Sequence, residues 1–168
     1  MAAKTPSPPS RKDEILALLE AHGIAVEVHT NREPEYARDF RDGEFVLIGR
    51  NPHEGGRDVE IWLQDEFTLI FGGWHQHDEP DETQYEWSFL KRLTGFIDGT
   101  LYAATSYSGS TFFSGAVLEA DRLPSTPDEL LQRMTWCLCD EAREKLTSPG
   151  GRVELVNWDP RKNVVFKW

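Results

Sequence analysis

Cysteine is scarce in this chain, which has two among 168 residues, Cys137 and Cys139. Their spacing is too tight for an ordinary disulfide, and the second pair that a zinc knuckle needs is missing, so we expect two reduced thiols. Long apolar runs are also missing: none approaches the roughly 20 residues that span a bilayer, and the N-terminus lacks the apolar segment of a secretory signal. The sequence therefore predicts a soluble, cytoplasmic protein.

No complete catalytic signature is present. The hydroxyl-rich run at residues 106–111 lacks the GxSxG pattern of a nucleophile elbow, and a hairpin turn at Gly109 explains it fully. There is no dinucleotide or phosphate loop, and nothing selects a glycosidase-type carboxylate pair from the 29 acidic residues. We therefore predict a protein that is not an enzyme and that needs no cofactor.

Basic residues are nearly missing from one quarter of the chain. Residues 51–90 contain ten acidic residues and a single basic one, Arg57, so this quarter carries most of the net charge of −11. Nucleic acids and anionic membranes would be repelled by such a field, whereas a basic protein would be attracted. The charge pattern thus predicts a basic protein as the partner, with no direct contact to nucleic acid or membrane.

The order of the predicted elements favours an α+β domain. Residues 1–9 are small, polar and proline-rich and are predicted to be a disordered leader, and residues 10–168 a single domain. Hairpin turns take the place of long crossovers, so we expect one curved, mainly antiparallel sheet of about eight strands with three helices, mostly on one face. The expected strands are 24–28, 44–48, 58–63, 66–71, 100–106, 111–119, 152–158 and 163–168.

Capping signals mark the predicted helices. The first starts at a capping box, Ser10 to Asp13, and ends at Gly23, while the second runs from near Asp81 to Gly99. The third begins at Thr126 with proline in the first helical position and is predicted to continue as one helix to residues 149–151, where proline and two glycines stop it.

The candidate functional residues cluster around residues 71–86, FGGWHQHDEPDETQYE. One or two acids satisfy the N-terminal dipole of the helix that follows, but four acids in five positions exceed that need and indicate a functional acidic surface. Tryptophan is a common interface anchor, and two tryptophans flank these acids, although core packing is an equally good interpretation of both. The predicted partner-binding residues are Trp74, His75, His77, Asp78, Glu79, Asp81, Glu82, Glu86 and Trp87.

Two other functions fit the same sequence. His75 and His77 are two positions apart, so in a strand both imidazoles face one side and could share a metal ion, with Asp78, Glu79 or His53 as a further ligand. This would suit a metal-dependent hydrolase. A concave sheet face could alternatively hold a small apolar ligand between aromatic side chains.

A resemblance adds to these expectations. The run from Glu66 to Asp78, with Trp74-His75-Gln76-His77 at its centre, followed by an acidic helix start and by Gly95 to Gly99 leading into a strand, resembles the WHxH-type core of some bacterial immunity proteins of polymorphic toxin systems. It covers roughly residues 58–120. Such proteins are small, acidic, cytoplasmic α+β domains that bind and occlude a cognate toxin, commonly a basic nucleic-acid-targeting enzyme. The resemblance implies an antitoxin role for this chain.

Overall fold

The computed structural model describes residues 11–78 and 83–168, without the side chains of residue 78 and residues 83–88. The predicted leader, Ser10 of the first capping box and the start of the second helix near Asp81 lie outside the described residues. The elements are, in chain order, α1 Arg11–Ala21, β1 Val26–His29, β2 Phe45–Gly49, β3 Val59–Leu63, β4 Phe67–Phe71, β5 Trp74–Asp78, α2 Thr83–Ile97, β6 Leu101–Ser108, β7 Thr111–Glu119, α3 Pro127–Arg133, α4 Asp140–Leu146, β8 Gly151–Val156 and β9 Val164–Lys167.

The α+β class is confirmed, but the single sheet is wrong. In the described part of the chain, nine strands form two antiparallel sheets, with the orders β1-β2-β3-β4-β5 and β7-β6-β8-β9. We call them sheet A and sheet B. Within residues 11–78 and 83–168, four α-helices accompany them instead of the three expected. Among the described residues, no helix is long and apolar enough to cross a bilayer.

Sheet A is a meander whose two faces differ, because side chains alternate along each strand. One face is apolar and packs on α1 and α2. Ile61 and Leu69 of this face are fully buried, as are Leu93 and Phe96 of α2. We call this the inner face. The opposite, outer face carries Glu60 and Trp62 of the central strand β3.

Strand β5 is a separate strand that the sequence did not predict. Gly72 and Gly73 have φ values of 58° and 87°, as in the two-residue turns of tight hairpins. The chain therefore reverses after Phe71, and Trp74 pairs with Phe71 across the turn. This hairpin decides which face of sheet A each residue of the Trp-His-Gln-His motif occupies.

The predicted third helix is also wrong as a single element, because it is divided into α3 and α4. Leu138 lies between them in an extended conformation, with φ −114° and ψ 118°. The inward residues are spaced by four, and each such step turns about 40° past a full turn of an α-helix. Over four steps a straight helix would carry Leu146 away from the core that Leu130 enters. The break keeps both residues fully buried beside sheet B.

The two sheets meet at the β4–β5 turn. Trp74 packs against Phe96 of α2, with ring centroids 5.3 Å apart, and against Gly115 of β7. Phe71 packs against Trp158, with ring centroids 5.9 Å apart, and Gly72 lies against Val156. A methyl group on Gly115 would lie 2.8 Å from Cδ1 of Trp74, so the approach of the sheets requires glycine there.

We predict that Gly115→Ala lowers the free energy of unfolding by about 1–3 kcal/mol, since the new methyl group overpacks the junction. In a Trp74→Leu background the neighbouring ring is gone, so the same substitution should cost less. Urea unfolding of the four proteins of this cycle measures both values. An equal cost in the two backgrounds would contradict the contact.

Candidate functional site

The outer face of sheet A has two rows of side chains that cross all five strands. The register of the sheet places Glu27, Ile48, Glu60, Ile70 and His75 in one row. The second row consists of His29, Val46, Trp62, Thr68 and His77. Both histidines of the motif therefore stand on the same face of edge strand β5, as their spacing predicts, and both are exposed.

His77 is the better anchored of the two histidines. Its Nδ1 forms a 2.8 Å hydrogen bond with the hydroxyl of Thr68, which is buried, and lies 3.7 Å from a carboxylate oxygen of Glu66. The side chain of His77 still has 54% of its surface exposed. His75 stands next to it, with the two ring centroids 5.5 Å apart. The pair forms an imidazole surface beside an exposed carboxylate.

Trp74 does not belong to this surface. It is 6% exposed and points to the inner face, where it joins the main hydrophobic cluster. The prediction that it supplies contact area to a partner is wrong for the folded chain, and core packing is the correct interpretation. Side chains alternate between the two faces of a β-strand. Because His75 is exposed on the outer face, the adjacent Trp74 faces the inner side.

The other predicted partner-binding residues are described only in part or not at all. Asp78 ends β5, and Glu86 and Trp87 belong to α2, but the described structure does not include their side chains. Glu79, Asp81 and Glu82 lie outside the described residues. They connect β5 to α2 in sequence, so they follow directly after the imidazole surface.

A metal centre would need more ligands than the two imidazoles. Among the side chains described, no group of three or more His, Cys, Asp or Glu residues could hold a metal ion. His53 lies in the field of Asp159 and helps Arg161, which pairs with Asp159 at 2.8 Å, to hold the pKa of that carboxyl at about 2. Among the described side chains, His53 forms no metal-binding group with His75 and His77.

Most of the net negative charge lies in one half of the fold. Residues 26–78, which build sheet A, contain twelve acidic and five basic residues, whereas residues 101–168, which build sheet B with α3 and α4, contain nine and eight. The field is visible at Tyr36, where burial and then the carboxylates of Glu60, Glu35, Glu33 and Glu27 raise the pKa of the phenol. A basic partner would thus be drawn to the sheet A half.

Part of the outer face is covered and part is open. In the segment between β1 and β2, Phe40 packs against Trp62, with ring centroids 5.5 Å apart. Val46, which is next to Trp62 in the same row, is fully buried. The open part includes a groove of about 430 Å³. Its lining residues are Ile48, Arg50, Arg57, Asp58, Glu60, Ile70, Phe71, Gly72, Gly73 and Tyr107.

This groove was not predicted from the sequence. The signal that could have indicated part of it is the strict alternation in β3, where Val59, Ile61 and Leu63 are buried and Glu60 and Trp62 are half-buried. This alternation places a carboxylate on the face opposite the core. The covering segment and the contribution of Tyr107 from sheet B had no signal, since they depend on how distant elements pack.

The fold and this surface define an α+β protein with two packed antiparallel sheets, one of which, with its connecting segments, forms a strongly acidic half. No family model, curated protein or solved structure matches this chain. The function therefore has to be inferred from the surface itself and from the resemblance of the Trp-His-Gln-His motif.

We predict that alanine substitutions at neighbouring positions of the Trp-His-Gln-His motif change the free energy of unfolding by very different amounts. Trp74→Ala should lower the free energy of unfolding by about 3–5 kcal/mol, because it opens a cavity at the sheet junction. His77→Ala should cost about 1 kcal/mol through the unsatisfied Thr68 hydroxyl, and His75→Ala at most about 0.5 kcal/mol.

Chemical denaturation of the three variants measures these differences. Trp136→Ala is the matched control, because Trp136 is 74% exposed and its removal should leave stability nearly unchanged. Equal losses for Trp74→Ala and Trp136→Ala would contradict the assignment of Trp74 to the core.

Proposed function

We propose that this chain is an immunity protein that binds and neutralises a cognate bacterial toxin domain, itself a basic, nucleic-acid-targeting enzyme. The observation that carries the proposal is the concentration of the excess negative charge in the sheet A half of the fold. A toxin that acts on nucleic acid needs lysines and arginines to hold phosphates, and an acidic surface attracts the same residues. The proposed place of action is the cytoplasm.

The proposed interface centres on His75 and His77. Both are exposed, Glu66 lies beside His77, and the acids from Asp78 to Glu82 follow in sequence. In this proposal the acids steer the toxin during approach, which gives fast association that weakens with salt. The imidazole surface and the half-buried Ile70 then supply the area that excludes water, where most of the binding energy of an interface is concentrated.

The experiment that tests this function is affinity capture from the native host at low and moderate salt, with mass spectrometry of the retained proteins. We expect one basic domain in near-stoichiometric yield, released as salt rises. Expressed alone, that domain should arrest growth, and coexpression of this chain should restore it. A captured protein that does not arrest growth, or an arrest that this chain does not relieve, would contradict the immunity function.

Charge reversal locates the interface. We predict that Asp78→Lys, Glu79→Lys and Glu82→Lys together slow association with the captured domain by tenfold or more and weaken its salt dependence, because the steering field is reversed. The control reverses three acids of the sheet B half, Asp121, Asp128 and Glu144, with the same change in net charge. Equal association rates of the two variants would place the interface elsewhere.

A metal-dependent hydrolase is the second candidate, favoured by the two imidazoles that face one side. It requires that the purified protein retain about one equivalent of metal and that His75→Ala with His77→Ala remove it. Under the immunity function we expect the metal content to be the same before and after this double substitution. Elemental analysis of the two proteins distinguishes the candidates.

A further inference from the structure

The groove on the outer face of sheet A has a carboxylate between two isoleucines. Glu60 is on the central strand β3, paired with Ile48 on one side and Ile70 on the other. All three side chains are half-buried. Gly72, Gly73 and Tyr107 add to its wall.

Glu60 is held in place without a cation. The indole Nε1–H of Trp62 donates a 2.5 Å hydrogen bond to its Oε1. Among the described residues, no lysine, arginine or histidine lies within ion-pair distance of this carboxylate. A half-buried carboxylate with one oxygen engaged and no counter-ion gains most from a cation supplied by a ligand.

The basic residues that line the groove do not fill that role. Arg50 is held between Glu27 and Asp58, each at 2.6 Å, and these two carboxylates raise its pKa further. Arg57 is exposed at the rim, where solvent screens its charge. Asp58 and Glu60 line the groove, and Glu27 pairs with Arg50 beside it. These three carboxylates outnumber the two arginines, so the groove together with Glu27 has a net negative charge.

We propose that this groove is an anchor pocket for one lysine or arginine side chain of a basic partner protein. The aliphatic stem of that side chain would lie on Ile48 and Ile70, and its charged end would pair with Glu60, so that apolar burial and a charge-assisted hydrogen bond act together. The volume of about 430 Å³ accommodates one long side chain. The inference rests on the proposed function for the identity of the partner, but the pocket can be tested without it.

The test is an NMR titration of the isolated, isotope-labelled protein with N-acetyl-lysine amide. We expect shifts of the backbone amides of Ile48, Glu60, Ile70, Gly72 and Gly73. N-acetyl-norleucine amide has the same stem without the ammonium group and should bind about tenfold more weakly, since the charged hydrogen bond is missing. This probe separates the contribution of the charge from that of the stem.

Two variants connect the binding to the proposed groups. Glu60→Gln keeps an acceptor for the Trp62 indole, so the fold should persist while lysine-probe affinity falls about tenfold. Arg57→Gln removes the repelling charge at the rim and should raise affinity about two- to fivefold. Asp121→Asn, an equal loss of negative charge in the sheet B half, is the control and should bind like the wild type.

Several outcomes would overturn the pocket. These are the absence of shifts at the groove, equal binding of the norleucine probe, unchanged affinity in Glu60→Gln with an intact spectrum, or preferential binding of N-acetyl-glutamate amide through Arg57. None of these results affects the capture of a toxin through the β5 surface. Conversely, failure of the capture experiment leaves the titration interpretable.

Discussion

The close approach of the two sheets at the β4–β5 turn determines how strand β5 and the outer face of sheet A are arranged. Gly72 lies against Val156, and Gly115 leaves room for the ring of Trp74. Side chains at these glycines would collide with the opposing sheet. Because Trp74 is fixed between Phe96 and Gly115, strand β5 cannot rotate, and His75 and His77 are held on the opposite face.

The same junction creates the groove. Tyr107 of sheet B lines it together with Ile48, Glu60 and Ile70 of sheet A, so neither sheet alone would form it. A Cβ on Gly73 would lie 3.1 Å from the Tyr107 hydroxyl, which shows how closely the turn approaches sheet B. The acidic half of the molecule thus contains a groove whose apolar and carboxylate groups are positioned by the packing of both sheets. Preorganised sites lose less conformational entropy on binding than mobile ones.

Local signals in the sequence were sufficient for most elements. Thr126 caps α3 by accepting from Glu129, as the capping box predicts, and the Gln64-Asp65 turn joins antiparallel neighbours β3 and β4. The signals failed where a long-range contact decides the outcome. The break at Leu138 is needed to keep the residues of α3 and α4 on one core, and the hairpin at Gly72 is stabilised by packing of its strands on α2 and sheet B.

Local patterns along the chain were sufficient for the α+β class, for the common side of His75 and His77 in a strand, and for the concentration of acidic residues before the second helix. These follow from side-chain periodicity and from charges counted along the chain. The packed fold was needed to establish that Trp74 faces the core, that the strands divide into two sheets, and that Glu60 lies in a groove closed by Tyr107. Burial is a property of the whole packed chain, because each residue's surroundings come from segments distant in sequence.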